Sequence, residues 1–190
     1  MKEVFIERST PDGRGGDWAA ELPLGADTEK IVVGIGPGSF AGIRSALAYA
    51  QGFALGSRCG VWGLPSPCAA VGELMLSGRA AERVAVVGDA RQGMIWVQLF
   101  TAGKAEGTVF QVPRAGLAAA VKPPLAVYTT EPERLGELLA ATFAARYRGE
   151  VKPTARGLAA YAAAHPDELV AEPLPVYLNP AVRPELRANH

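Results

Sequence analysis

The chain has 190 residues, 49% of them hydrophobic and 20% charged, a globular composition that excludes bulk disorder, collagen-like repeats and a coiled-coil rod. Nineteen basic residues balance nineteen acidic ones, so no bulk positive field advertises nucleic-acid binding, and an RNA contact would need a local patch or a basic partner. Charge interrupts every apolar run before the roughly 18 residues of a membrane span, so the expectation is a cytoplasmic protein with no membrane contact.

In chain order, Val4 to Ile6 is a short strand candidate, and residues 9–16 hold two glycine turn clusters and a proline. Residues 31–35 form a continuous β-branched run, the pattern of a buried parallel strand, and lead into Gly36-Pro37-Gly38-Ser39. From Phe40, apolar residues at 43, 47, 50 and 54 recur at helical spacing, with Ser39 as N-cap and Gly56 as stop. A strand at 59–62 and a helix at 67–77 complete a βαβα unit. Residues 82–89 then form a strand, and 94–100 and 108–112 extend it into a meander that opens a second lobe. A strand at 125–129, a helix beginning at Glu131-Pro132 and an alanine-rich helix at 153–164 follow, and the tail from Glu172 reads as extended chain. The expected boundary divides residues 1–80 from 81–190.

The glycine run at 34–42 carries the most distinctive chemistry. A dinucleotide fingerprint fails because Ser39 takes the place of its last glycine, and a Walker loop fails for want of a lysine. Two readings stay open: an anion held on helix N-terminal amides, or close helix packing, which the small residues Gly38, Gly42, Ser45, Ala46, Ala48, Ala50 and Gly52 favour. Arg44 and Tyr49 are the large residues on that helix, anchors if it forms an interface and ordinary solvated side chains on a monomer surface. Asp89, with Arg91 behind it, is a magnesium-carboxylate candidate, against which stand an Asx turn and an Asp–Arg surface pair. Cys59 and Cys68 read as reduced, partly buried thiols, and His165 and His190 lie far from them, so no metal site is expected. His165, ahead of Pro166, is expected to face solvent.

The stretch Val33-Gly34-Ile35-Gly36-Pro37-Gly38-Ser39-Phe40-Ala41-Gly42-Ile43-Arg44, continuing through Ala48-Tyr49-Ala50-Gln51-Gly52-Phe53-Ala54-Leu55, closely resembles the signature of the TsaB family, also called YeaZ-like or glycoprotease-like, which usually has Thr in place of Ala41. Gly63-Leu64-Pro65-Ser66, Val87-Gly88-Asp89-Ala90-Arg91 and Pro175-Val176-Tyr177-Leu178 resemble its later motifs in order and spacing. The resemblance implies an α/β, actin-like ATPase (ribonuclease H-like) fold of two related lobes. It implies a non-catalytic, cofactor-free accessory subunit that dimerises with the catalytic subunit TsaD and supports threonylcarbamoyl transfer to adenosine of tRNA. A TsaE-like ATPase is a further partner, the chain pairs with itself when alone, and tRNA is reached only indirectly. The partner-binding set is then Gly36, Pro37, Gly38, Ser39, Phe40, Gly42, Arg44, Ser45 and Tyr49, while Asp89 and Arg91 form a nucleotide or turn site. Against the family pattern, no Asp-Thr-Ser follows the first strand, only about 30 residues precede Ile31, and Asn179 replaces an Arg. The first lobe is accordingly expected to be shortened. The alternatives are a nucleotide-binding enzyme of the actin-like ATPase class, using the amides of residues 36–39 and Asp89, or a diverged relative with a different partner. A peptidase ranks last because no nucleophile set or metal pair is visible.

Overall fold

A computed structural model describes residues 2–10 and 24–178. The glycine clusters at 13–16, Asn179 and His190 lie outside the described residues, as does most of the segment on which the expected shortening of the first lobe rests. The described chain is mixed α/β. Its elements are β1 (Lys2–Ile6), β2 (Thr28–Gly34), α1 (Phe40–Leu55), β3 (Gly60–Leu64), α2 (Ser66–Leu76), β4 (Arg83–Asp89), β5 (Met94–Thr101) and β6 (Lys104–Pro113). They continue with α3 (Leu117–Ala120), β7 (Ala126–Thr129), α4 (Pro132–Phe143), β8 (Tyr147–Glu150), α5 (Ala155–Ala164) and β9 (Val170–Ala171).

The strands form two sheets, ordered β1-β2-β3-β9 and β6-β5-β4-β7-β8. In the first, β1, β2 and β3 are parallel, with Val4 opposite Ile31 and Ile31 opposite Val61. In the second, β4, β5 and β6 are the antiparallel meander that the alternation at 94–100 predicts, and β4 pairs in parallel with β7. Ile31, Val32 and Val33 have no exposed surface, which accounts for the unbroken apolar run, since a parallel strand is covered on both faces.

Helix α1 turns Ile43, Ala46, Leu47 and Ala50 onto the first sheet. Burial of each of the two large residues among them contributes about 2 kcal/mol. The Ser39 side chain accepts from Gly42 N, and Gly56 closes the helix by donating to Ala54 O and Phe53 O. Both ends are those expected from the sequence.

Residues 155–171 return to the first sheet: α5 packs on α2, and β9 pairs antiparallel with β3. The boundary at residue 80 therefore does not assign the last helix and strand to the sheet they join. Tyr161 of α5 ties the sheets together, its hydroxyl donating to Glu168 Oε2 at 2.7 Å and accepting from Ala105 N of β6 at 3.0 Å. His165 departs from expectation. It is half-buried against Tyr161, with ring centroids 4.7 Å apart and the planes tilted by 51°, and its Nε2 is buried. Cys59 and Cys68 are both free and buried, and burial pushes both thiols up.

Candidate functional site

A cavity of about 480 Å³ opens between the two sheets. Its walls come from the segments that follow the parallel strands: Ser9 and Thr10 after β1, Pro37 to Phe40 after β2, Ser66 and Pro67 after β3, Asp89 to Arg91 after β4, and Thr130 and Glu131 after β7. The carboxyl ends of parallel strands are where α/β sheets leave room for a ligand, since each chain departs there toward a different helix. Val176, Tyr177 and Leu178 close one side as the tail crosses both sheets. Val176 N donates to Ile35 O at 2.8 Å, the Tyr177 ring lies 5.4 Å from that of Phe40, and Gln111 Nε2 donates to Leu178 O.

The glycine loop is packed into the molecule. Gly36 N donates to Ser66 Oγ at 3.0 Å, and Ser39 N donates to Ser9 O at 2.6 Å, so these two amides are already engaged. A Cβ on Gly38 would overlap the Ser9 carbonyl and one on Gly42 would overlap that of Arg8, so both glycines admit the chain after β1 at backbone distance. Gly36 and Pro37 are buried, Gly42 is half-buried, and Tyr49 is half-buried against the first-sheet core. Gly38, Phe40, Arg44 and Ser45 are exposed, with the Arg44 guanidinium 4.9 Å from the Phe40 ring, and Ser39 is partly exposed. The outward face of α1 runs through Ala41, Ser45, Ala48, Gly52 and Leu55, all exposed, and nothing lies within 4 Å of a Cβ built on Gly52.

Glu7, at the end of β1, is a residue that sequence reasoning passed over, although it terminates the only apolar run near the start. Its Oε1 accepts from Ser9 N at 2.7 Å and from the Ser66 hydroxyl at 3.2 Å, while Oε2 is buried with no hydrogen-bond partner among the described residues. Burial raises its pKa against the lowering effect of these bonds.

Asp89 and Glu131 meet because β4 and β7 end side by side. Glu131 Oε2 accepts from Asp89 N at 2.7 Å, and burial, assisted by the charge of Asp89, raises the Glu131 pKa. The Asp89 carboxylate is 9% exposed and is met by guanidinium groups on three elements: Arg134 Nη1 at 3.0 Å, Arg91 Nη1 at 3.9 Å and Arg114 Nη2 at 3.9 Å. Asp89 Oδ1 also accepts from Arg91 N at 3.2 Å, closing an Asx turn. Arg91 and Gln92 carry φ of 67° and 52°, a left-handed conformation that costs a side-chain-bearing residue about 1 kcal/mol or more. Among the described residues, no three His, Cys, Asp or Glu side chains stand together in a metal-binding group.

Two sheets with a cleft at the ends of their parallel strands define an α/β ligand- or partner-binding scaffold, and comparison with known proteins narrows that class. The fold is that of YeaZ: the structure titled YeaZ from Pseudomonas aeruginosa superposes with a TM-score of 0.67 at 20% identity over 93% of this chain and 98% of that one. A second structure, titled an uncharacterized protein with similarity to peptidase YEAZ from Pseudomonas aeruginosa, gives the same score and identity over 93% of this chain and all of that one. No curated protein matches the chain. The sequence model of the TsaD family, described as tRNA N6-adenosine threonylcarbamoyltransferase, matches residues 20–131, and the chain belongs to that family. It is a YeaZ-like, that is TsaB-like, protein. Among the described residues no helix is long and apolar enough to cross a membrane.

Proposed function

We propose that this chain acts in threonylcarbamoyladenosine modification of tRNA as an accessory subunit without chemistry of its own. It pairs with a TsaD-like catalytic subunit through the outer face of α1, works alongside a TsaE-like ATPase in the cytoplasm, and pairs with a second copy of itself when the catalytic subunit is absent. Family membership supplies the tRNA modification, and one observation carries the pairing. Ala41, Ser45, Ala48, Gly52 and Leu55 fall four, three, four and three residues apart on the exposed side of α1, and Leu55 is 91% exposed. Small residues in that pattern let a second helix approach closely, with Phe40 and Leu55 as apolar contacts at either end.

The contact set narrows accordingly from the nine residues expected to the exposed ones that lie on α1 itself, Phe40, Arg44 and Ser45, together with Ala48, Gly52 and Leu55. Ala48→Arg places a long charged side chain at the centre of this face and touches nothing in the core. The expected result in light scattering of the chain mixed with the catalytic subunit is loss of association by at least about tenfold with an unchanged melting temperature. Undiminished association would place the contact elsewhere.

The cavity favours one second reading, a nucleotide-binding member of the actin-like ATPase class. The arginines around Asp89 weigh against a magnesium role for that carboxylate, as do the engaged amides of Gly36 and Ser39 against a phosphate cradle. Titration with ATP and magnesium decides it, since the accessory reading predicts no magnesium-dependent heat.

A further inference from the structure

The cluster at the cleft mouth holds more positive charge than its carboxylates need. Arg91 comes from the β4–β5 turn, Arg114 from the end of β6 and Arg134 from the first turn of α4, and all three converge on Asp89. Only Arg134 is close enough to hydrogen-bond the carboxylate, at 3.0 Å. The nearest oxygen–nitrogen distances for Arg91 and Arg114, both 3.9 Å, are too long for that, so their planar forks are not committed to Asp89. Their side chains are 63% and 49% exposed. The one other carboxylate in the cluster, Glu131, is half-buried beside Asp89 and faces Arg134, its Oε1 3.9 Å from Arg134 Nε, so two carboxylates stand against three guanidiniums.

Arg91 is also held in a left-handed turn that Gly or Asn would occupy with less strain, so the turn gains nothing from an arginine. A purely structural ion network would bring its guanidiniums into short, enclosed pairs. Here two of three stand 3.9 Å from the carboxylate with much of their side chains exposed.

We propose that Arg91, Arg114 and Arg134 form a phosphate-contacting site for the RNA backbone at the mouth of the cleft, with Asp89 setting the spread of the three guanidiniums. Phosphate is the oxyanion that a fan of planar five-donor forks fits. A polynucleotide is favoured over a mononucleotide because only Arg91 of the three lines the cavity, while the other two flank it. This is the local patch that a chain of zero formal net charge needs in order to touch RNA, and it gives the chain a direct contact where the family resemblance implies an indirect one. The inference rests on the proposed role in tRNA modification.

The test is fluorescence anisotropy of an unmodified tRNA transcript titrated with the intact chain across a range of salt, comparing wild type, Arg91→Gln/Arg114→Gln, and Lys122→Gln/Arg148→Gln as a control that removes equal charge elsewhere. Arg134 is left in place to keep Asp89 paired, and melting temperature checks the fold. The rim variant is expected to bind about tenfold more weakly near 0.1 M salt, with a log–log salt slope shallower by about 1 to 2, and the control to match wild type. Equal losses in both variants, or no binding by wild type, would overturn the proposal. Displacement of the transcript by AMP at millimolar concentration would assign the site to a mononucleotide and overturn the RNA assignment. Pairing with the catalytic subunit is read separately with Ala48→Arg: loss of the RNA effect with pairing intact removes this inference alone, and absence of pairing with the RNA effect intact removes the accessory reading alone.

Discussion

At the scale of single residues, Glu7 and Arg91 are side chains whose placement costs stability. Glu7 ends β1 with one carboxylate oxygen bonded to Ser9 N and the Ser66 hydroxyl and the other buried without a partner. Because its pKa is raised in the fold, the folded chain keeps this proton at pH values where the unfolded chain has lost it. Its contribution is therefore fully present below about pH 4.5, the ordinary glutamate value, and is lost as pH rises toward the folded pKa, at about 1.4 kcal/mol per pH unit. Glu131 acts in the same direction. Chemical denaturation at pH 5 and pH 8 should show Glu7→Gln gaining stability relative to wild type at the higher pH, and an equal difference at both would contradict the burial assigned to this carboxylate. At Arg91, φ of 67° leads to the opposite expectation for glycine. Arg91→Gly should raise stability by about 1 kcal/mol, seen as a higher denaturation midpoint, while weakening RNA binding. A destabilised variant would mean that its side chain supports the turn.

At the scale of elements, α2 and α5 meet backbone to backbone. A Cβ on Gly72 would overlap the carbonyl oxygen of Gly157, and one on Gly157 would overlap that of Ala69. Beside the crossing, Arg156 Nη2 pairs with Glu73 Oε2 at 2.9 Å and the Thr154 hydroxyl donates to Glu73 Oε1, holding the Glu73 pKa below the usual value. Gly72→Ala should cost about 1 to 3 kcal/mol by forcing the helices apart, measurable as a drop in melting temperature, even though alanine is the better helix former. A gain in stability would show that the crossing can relax. Elements with their own punctuation were legible in the sequence: α1 has Ser39 and Gly56 at its ends, and β2 has an apolar run bounded by turn residues. Strand β8, Tyr147-Arg148-Gly149-Glu150, was not, because an edge strand with polar residues and a glycine carries no alternation. The two residues of β9 are recruited only by their partner Gly63 and Trp62 in β3.

At the scale of the whole molecule, the site is assembled by topology. Residues 9–10, 37–40, 66–67, 89–91 and 130–131 share no local spacing, and they meet because β1, β2, β3, β4 and β7 all end at the cleft. Sequence patterns reached the glycine loop and Asp89, which lie next to recognisable strands, but missed Glu7, Arg114, Glu131 and Arg134, whose importance comes only from sheet pairing. The same topology packs Gly38 and Gly42 against the segment after β1 and leaves the opposite side of α1 exposed. The account predicts a molecule with two working surfaces, a helix face that pairs and a charged cleft mouth that contacts RNA. The most direct test of the accessory role is reconstituted threonylcarbamoylation of a tRNA transcript by the TsaD-like catalytic subunit and its ATPase, with this chain present, absent or replaced by Ala48→Arg. The account predicts modification only with the wild-type chain, and modification that proceeds equally without it would contradict the accessory role.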